Sequence, residues 1–315
     1  LFSNVQITSR SSRGVVAGAL AAGYGLSAAL WAHAYTGLFA SNVQTFFVVT
    51  GVIFSSTAAV GAIAVPILAR RAAPEPDQCP ADSAGASMSP WQLLRTPDYW
   101  LYMANFSLLQ AVGSGLFIGN VALMAGSFGF DKAEQLFMVS FISYFNAGGR
   151  IVTGWLMDRL EPRGVPRVSH SVWTSGILTL MLLVLSCTTA AGENLLKVLT
   201  TVGFLYGANW ALLPSFSASR FGTACIGFCF SSNVLIMSLT VMLVSYIVGG
   251  LYDEEAKRHP ALASASPAVR QALTCQGQHC WEGPFRVGLG FSCAGLAVAV
   301  ALAVRARGAG ARSAA

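Results

Sequence analysis

The groups in this 315-residue chain that could do chemistry are few, and most of them interrupt otherwise apolar sequence. One set lies in NAGGRIVTGWLMDRLEPRG, where Gly149, Arg150, Gly154, Asp158 and Arg159 combine small and charged residues. Glycine lets two helices approach closely, and an acid at a helix end can pair with a base or with another helix's N-terminus. Such a contact can form and break, so the set reads as a latch; a plain solvated helix end with a chance Asp-Arg pair is the competing reading. A second set is uncharged: Asn105, Gln110, Ser114 and Asn120, then Tyr206, Asn209 and Trp210, then Asn233, with Tyr24, Ser27 and His33 nearer the start. An amide donates and accepts, while Tyr and Trp join a flat apolar face to a donor, so these types can hold a small polar ligand. They serve equally as interhelical hydrogen bonds worth about 0.6 kcal/mol each, or, for Tyr206 and Trp210, as interfacial aromatics. His33 sits near a span end, where capping outweighs proton relay. The third set is CQGQHC, in which Cys275 and Cys280 suit a disulfide, free thiols, or a metal site completed by His279. Cys187, Cys225, Cys229 and Cys293 read as small hydrophobes. Nothing resembles H-E-x-x-H, G-x-S-x-G or a buried pair of acids, so an intramembrane enzyme is disfavoured, and no catalytic residue, metal or cofactor is expected.

The elements that must position these groups are helices in lipid. Hydrophobic residues make up 54% of the chain and charged residues 10%, against roughly 25% charged in soluble domains, which excludes an ordinary soluble enzyme. Charge-poor apolar stretches run at about 14 to 35, 44 to 68, 99 to 122, 135 to 156, 170 to 191, 195 to 214, 225 to 251 and 285 to 304, each long enough to cross a bilayer. None contains Asp or Glu, and their only Lys or Arg residues are Arg150, near one end of its span, Lys197, and Arg286 at the start of the last. That pattern fits a charge cost of about 2.5 to 3.5 kcal/mol at a span centre. The absence of period-two alternation favours helices over barrel strands. Threaded as an eight-span zigzag, the chain puts 13 of its 19 Lys and Arg on one side. The positive-inside rule then makes that side, and both chain ends, cytoplasmic. The net charge of +6 therefore reports topology, and no nucleic-acid partner is implied. Two polar segments interrupt the spans: residues 70–90, rich in Pro, Ala and Ser, read as a linker on the basic side, and 252–284 as the one long loop opposite. The chain starts at Leu1 in mid-pattern without a signal peptide and reads as a fragment.

Gly154, three residues, then Asp158 and Arg159 resemble the Gly-x-x-x-Asp-Arg loop of the major facilitator superfamily, here in its second copy. SRGVVAGALAAGYGLSAAL, TPDYWLYMANFSLLQAVGSGLFIGN, YGANWALLPSFSASRFG and VGGLYDEEA followed by CQGQHCW are similar to its nodulin-like branch. The resemblance implies an all-α polytopic membrane protein with eight of twelve transmembrane helices present. Residues 1–70 would be the last two helices of the N-terminal bundle, 71–95 the interdomain linker and 96–315 the C-terminal six-helix bundle. It further implies a monomeric secondary carrier of a small molecule or ion, working by alternating access, with a transport-dead receptor as the alternative. By the same analogy Gln110, Tyr206, Asn209, Trp210 and Asn233 line the substrate path. Relatives include carriers similar to monocarboxylate transporters and others linked to metal ions. The visible spans are expected to offer no central Arg or Lys for an anion and no acidic cluster for a cation; proton coupling through an acid would use the missing helices or Asp131 and Glu134 at the outer mouth.

Overall fold

The computed structural model describes residues 13–39, 42–71, 88–188, 192–222, 225–258 and 275–314. Most of the expected linker, residues 72–87, lies outside them. Within them the order is α1 (Arg13–Gly37), α2 (Val43–Arg71), the short α3 (Pro90–Leu94), α4 (Pro97–Gln110), α5 (Val121–Ser127), α6 (Lys132–Leu160), α7 (Ser169–Cys187), α8 (Leu195–Phe221), α9 (Ile226–Arg258) and α10 (His279–Ala314). Among the described residues there is no strand.

Seven of the eight expected spans are helices long and apolar enough to cross a membrane: Gly14–Gly37, Val43–Ala64, Pro97–Ser127, Ser169–Cys187, Leu195–Phe221, Ile226–Arg258 and His279–Arg307. The eighth expected span lies in α6, whose 29 residues cover about 43 Å at 1.5 Å per residue. Ser140, Ser143, Asn146, Gly148, Gly149, Arg150 and Thr153 dilute its apolar content, which is why length alone qualifies it. Both ends of the loop expected at 252–284 are helical, since α9 continues to Arg258 and α10 begins at His279; residues 259–274 lie outside the described ones.

The third span is not one α-helix. After α4 the backbone widens to a π-helix over Ala111–Phe117 and tightens to a 3-10 turn over Ile118–Asn120 before α5 resumes. Asn120 Nδ2 donates to the Gly115 carbonyl (2.9 Å) and the Leu116 carbonyl (3.1 Å), pairing groups that the change of pitch strands in lipid. At the start of α6, Asp131 and Glu134 form a reciprocal capping box, with Asp131 Oδ1 accepting from Glu134 N and Glu134 Oε2 from Asp131 N, both 2.8 Å. The two acids considered for proton relay are thus engaged in starting a helix.

Two compact units divide the described residues, the larger taking 13–28 and 88–314 and the smaller 29–71. The boundary falls inside α1, so its first half clusters with the C-terminal helices. In the smaller unit Trp31 packs on Phe54 (5.4 Å), and Phe46 meets Trp31, Tyr35 and Phe39 edge-on. In the larger unit α6 and α8 touch backbone to backbone. A Cβ at Gly207 would strike the Asn146 carbonyl, one at Gly203 the Ile142 carbonyl, and one at Gly149 the Phe204 carbonyl. Large apolar side chains such as Leu180, Leu235, Leu239 and Tyr246 are exposed, as a lipid-facing surface requires.

Candidate functional site

The Asp158 carboxylate sits where one end of α6 meets the first turn of α1. Oδ1 accepts from the Gly14 amide at 3.0 Å and Oδ2 from the Val15 amide at 2.8 Å. Those N–H groups have no intrahelical acceptor and carry the positive end of the helix dipole, so an acid from another helix caps α1. The approach depends on glycine: a Cβ at Gly14 would strike the Gly154 carbonyl, one at Gly154 the Gly14 carbonyl, and one at Gly18 the Arg150 carbonyl. Arg159, the adjacent base in the motif, does not pair with Asp158; it is exposed and lies over the Trp155 ring of its own helix at 5.4 Å. The cation at Asp158 is Arg167, whose Nη2 donates to Asp158 Oδ1 (3.0 Å) and Glu161 Oε2 (2.8 Å) while Nε donates to Glu161 Oε2 (3.0 Å). Arg167 is buried, and sequence reading treated it only as one of the loop's basic residues.

Arg150 occupies a different place from the one its motif suggested. Its side chain, 2% exposed, runs between α1 and α8 rather than toward Asp158. Nε donates to Asn146 Oδ1 (3.0 Å) and Nη1 to the Ala21 carbonyl (2.9 Å). The guanidinium lies 5.5 Å from the ring centres of both Tyr24 and Trp210. Room for it exists because α1 has Gly25 there; a Cβ would come within 3.3 Å of Nε. Nη2 has no hydrogen-bond partner, and among the described residues no carboxylate pairs with Arg150. Position along α6 suggested a membrane-edge residue, whereas the long side chain carries the Arg150 charge to Trp210, one of the residues expected to line the substrate path.

The uncharged residues divide. Trp210 also meets Phe106 (5.3 Å), Tyr206 (6.3 Å) and Phe230 (5.8 Å), and its Nε1 is unpartnered. Tyr206 packs against Gly113, where a Cβ would lie 2.7 Å from Cδ2. With Asn209 it lines a void of about 10 Å³ beside Thr174 and Leu178, room for about one water. Gln110 is fully buried and neither atom of its amide is partnered; it lies four residues after Phe106, which meets Trp210. Asn233 Nδ2 donates to the Cys229 carbonyl of its own helix at 2.7 Å, and its Oδ1 is unpartnered. Asn105 bridges helices, donating to Ser175 Oγ (3.1 Å) and the Gly295 carbonyl (2.8 Å). Ser27 Oγ donates to the Tyr24 carbonyl at 2.6 Å.

At the opposite end Cys275 and Cys280 are joined, Cα to Cα 6.1 Å. With both sulfurs bonded to each other, His279, 3.7 and 3.9 Å away, does not complete a thiolate metal site. Gly277, inside the ring at φ +97°, donates to the Ser127 carbonyl at 2.7 Å. Tyr252 Oη donates to the Cys275 carbonyl at 3.4 Å and lies 3.2 Å from Ser127 Oγ, and Gln278 Nε2 donates to the Thr188 carbonyl.

The sequence profile of the Major Facilitator Superfamily matches residues 3–252. Among curated proteins the chain is similar to the oxalate:formate antiporter of Oxalobacter formigenes, 29% identical over 135 residues, which is 42% of this chain and 31% of the relative. The alignment thus spans less than a third of that relative's length. With a family match across most of the chain and seven apolar helices of spanning length, the chain belongs to the Major Facilitator Superfamily, a family of secondary membrane transporters, and is an integral multi-pass membrane protein.

Proposed function

We propose that this chain forms much of a secondary transporter, within the nodulin-like branch, that moves a small carboxylate by alternating access. One observation carries the substrate class: Arg150 is a buried cation with an unpartnered Nη2 and no acidic partner among the described residues. An uncompensated charge at membrane depth costs several kcal/mol. Stacking against Tyr24 and Trp210 offsets part of this, about 2 kcal/mol for a desolvated cation over a ring. An anion reaching the unpartnered Nη2 offsets the rest, and a planar carboxylate matches its donor geometry. Trp210, whose Nε1 is unpartnered and whose ring lies 5.5 Å from the guanidinium, supplies a neutral donor beside it. The similar antiporter is named for two small carboxylates, which agrees with this chemistry.

The latch supports alternating access. While Asp158 caps α1, α6 and α1 are held together at one end; releasing the Gly14 and Val15 amides lets them separate. The test is counterflow of labelled formate and of labelled oxalate into proteoliposomes. Arg150→Gln is expected to lower exchange of the transported anion at least about 30-fold, the effect of removing one side of a desolvated charge pair, with Arg150→Lys intermediate because it loses the fork. Unchanged saturable exchange by Arg150→Gln would remove the carboxylate reading.

A further inference from the structure

A second group of charges lies at the ends of three helices, away from Arg150. Asp98, in the first turn of α4, is 3% exposed. Its Oδ1 accepts from Arg305 Nε of α10 at 2.8 Å, and its Oδ2 from Arg220 Nε of α8 at 3.1 Å and from Arg220 Nη2. One carboxylate therefore holds two guanidiniums side by side, and the group keeps one positive charge. The arginine side chains are 39% and 50% exposed. Arg220 Nη1 and both Nη atoms of Arg305 have no hydrogen-bond partner among the described residues, so as many guanidinium nitrogens are left over as Asp98 occupies, three of each.

Depth identifies the missing anion. Arg220 is in the last turn of its span, Arg305 two residues before the end of another, and Asp98 at the start of a third. Trp100, two residues after Asp98, whose Nε1 donates to the Leu94 carbonyl at 2.7 Å, and Trp91, on α3 just before α4, are exposed, and exposed indoles mark the headgroup layer. The anion that every bilayer presents at this level is the lipid phosphate, and a residual positive charge selects headgroups with net negative charge. We infer that Arg220 and Arg305, spaced by Asp98, bind the phosphate of an acidic phospholipid. The inference is independent of what the protein transports.

Native mass spectrometry of the protein released from nanodiscs of phosphatidylcholine containing phosphatidylglycerol tests it, with far-UV circular dichroism reporting folding. The wild type is expected to retain phosphatidylglycerol, and Arg305→Gln to retain it about fivefold less. Asp98→Asn separates binding from structure. It weakens the clasp between helices but leaves two unopposed guanidiniums, so retention is expected to rise about fivefold. Arg258→Gln, outside this cluster, should change nothing. Equal retention by wild type, Arg305→Gln and Asp98→Asn overturns the site, as does a fall in retention by folded Asp98→Asn. Displacement of the lipid by millimolar inorganic phosphate would assign the arginines to free phosphate and overturn the headgroup source.

Discussion

At the scale of single residues, adjacency in sequence misleads about which base serves Asp158. On a helix, neighbours point about 100° apart, so Arg159 turns to Trp155 while Arg167, from the segment after the helix, reaches back to Asp158 and Glu161. Replacing Arg167 leaves two carboxylates facing each other in a nearly closed site, and Arg167→Ala is expected to cost about 3 to 5 kcal/mol. Arg159→Ala removes an exposed side chain and should stay within about 0.5 kcal/mol. Thermal unfolding of the two variants in one detergent gives the order directly, and equal losses would contradict the assignment of Arg167 as the latch cation. The Asp158 contact itself was legible, because an acid after Gly-x-x-x at a helix end has few partners other than a base or a helix N-terminus. Arg150 was not legible: its backbone position suggested the membrane edge, and only the path of its side chain past Gly25 shows that the charge lies between Tyr24 and Trp210.

At the scale of elements, spacing identifies glycines that can allow close approach but not which of them do. Gly14 and Gly18 both meet α6 backbone. Gly115 and Gly119 share that spacing yet divide, since Gly115 faces the Val241 carbonyl at 3.1 Å while a Cβ at Gly119 meets only the Ser114 carbonyl of its own segment, also at 3.1 Å. Gly203 and Gly207, with the same spacing, carry the α6 crossing and could have been found by the same rule. Their neighbours are carbonyls of a buried helix, which cannot rotate aside as a side chain would. Gly207→Ala is therefore expected to cost about 1 to 3 kcal/mol by overpacking, whereas Gly119→Ala should cost less than about 1 kcal/mol because only its own turn must adjust. Chemical denaturation in mild detergent compares them, and a Gly207→Ala protein as stable as wild type would refute the backbone contact. The π-helical break in the third span had no such signal. Its run of Gly113, Gly115 and Gly119 permits the break, but the stabilising contact is Asn120 folding back on Gly115 and Leu116, which looks in sequence like any polar residue in a span.

At the scale of the whole molecule, hydropathy and charge placement made the helical, membrane-spanning architecture legible, because lipid forces every backbone group to pair within its own helix. What they could not convey is how helix ends are fastened to one another. The ring closed by Cys275 and Cys280 does this at one end, with Gly277 N reaching the Ser127 carbonyl after α5, Gln278 the Thr188 carbonyl after α7, and Tyr252 of α9 packing on Trp281 at 5.2 Å. Closing a loop with a sequence separation of 5 stabilises by about 2 kcal/mol through chain entropy alone. The carbonyls it caps add about 1 kcal/mol each. Cys275→Ser with Cys280→Ser should thus lower the melting temperature, but the loss should be local. Hydrogen exchange is expected to quicken about tenfold in α5 and in the last turn of α7, where orphan carbonyls lose their donors, and to stay unchanged at Gly14, Val15 and Asp158 at the far end of α6. Quickened exchange along every helix would mean that the ring supports the fold globally, and no change in α5 would mean that it fastens nothing.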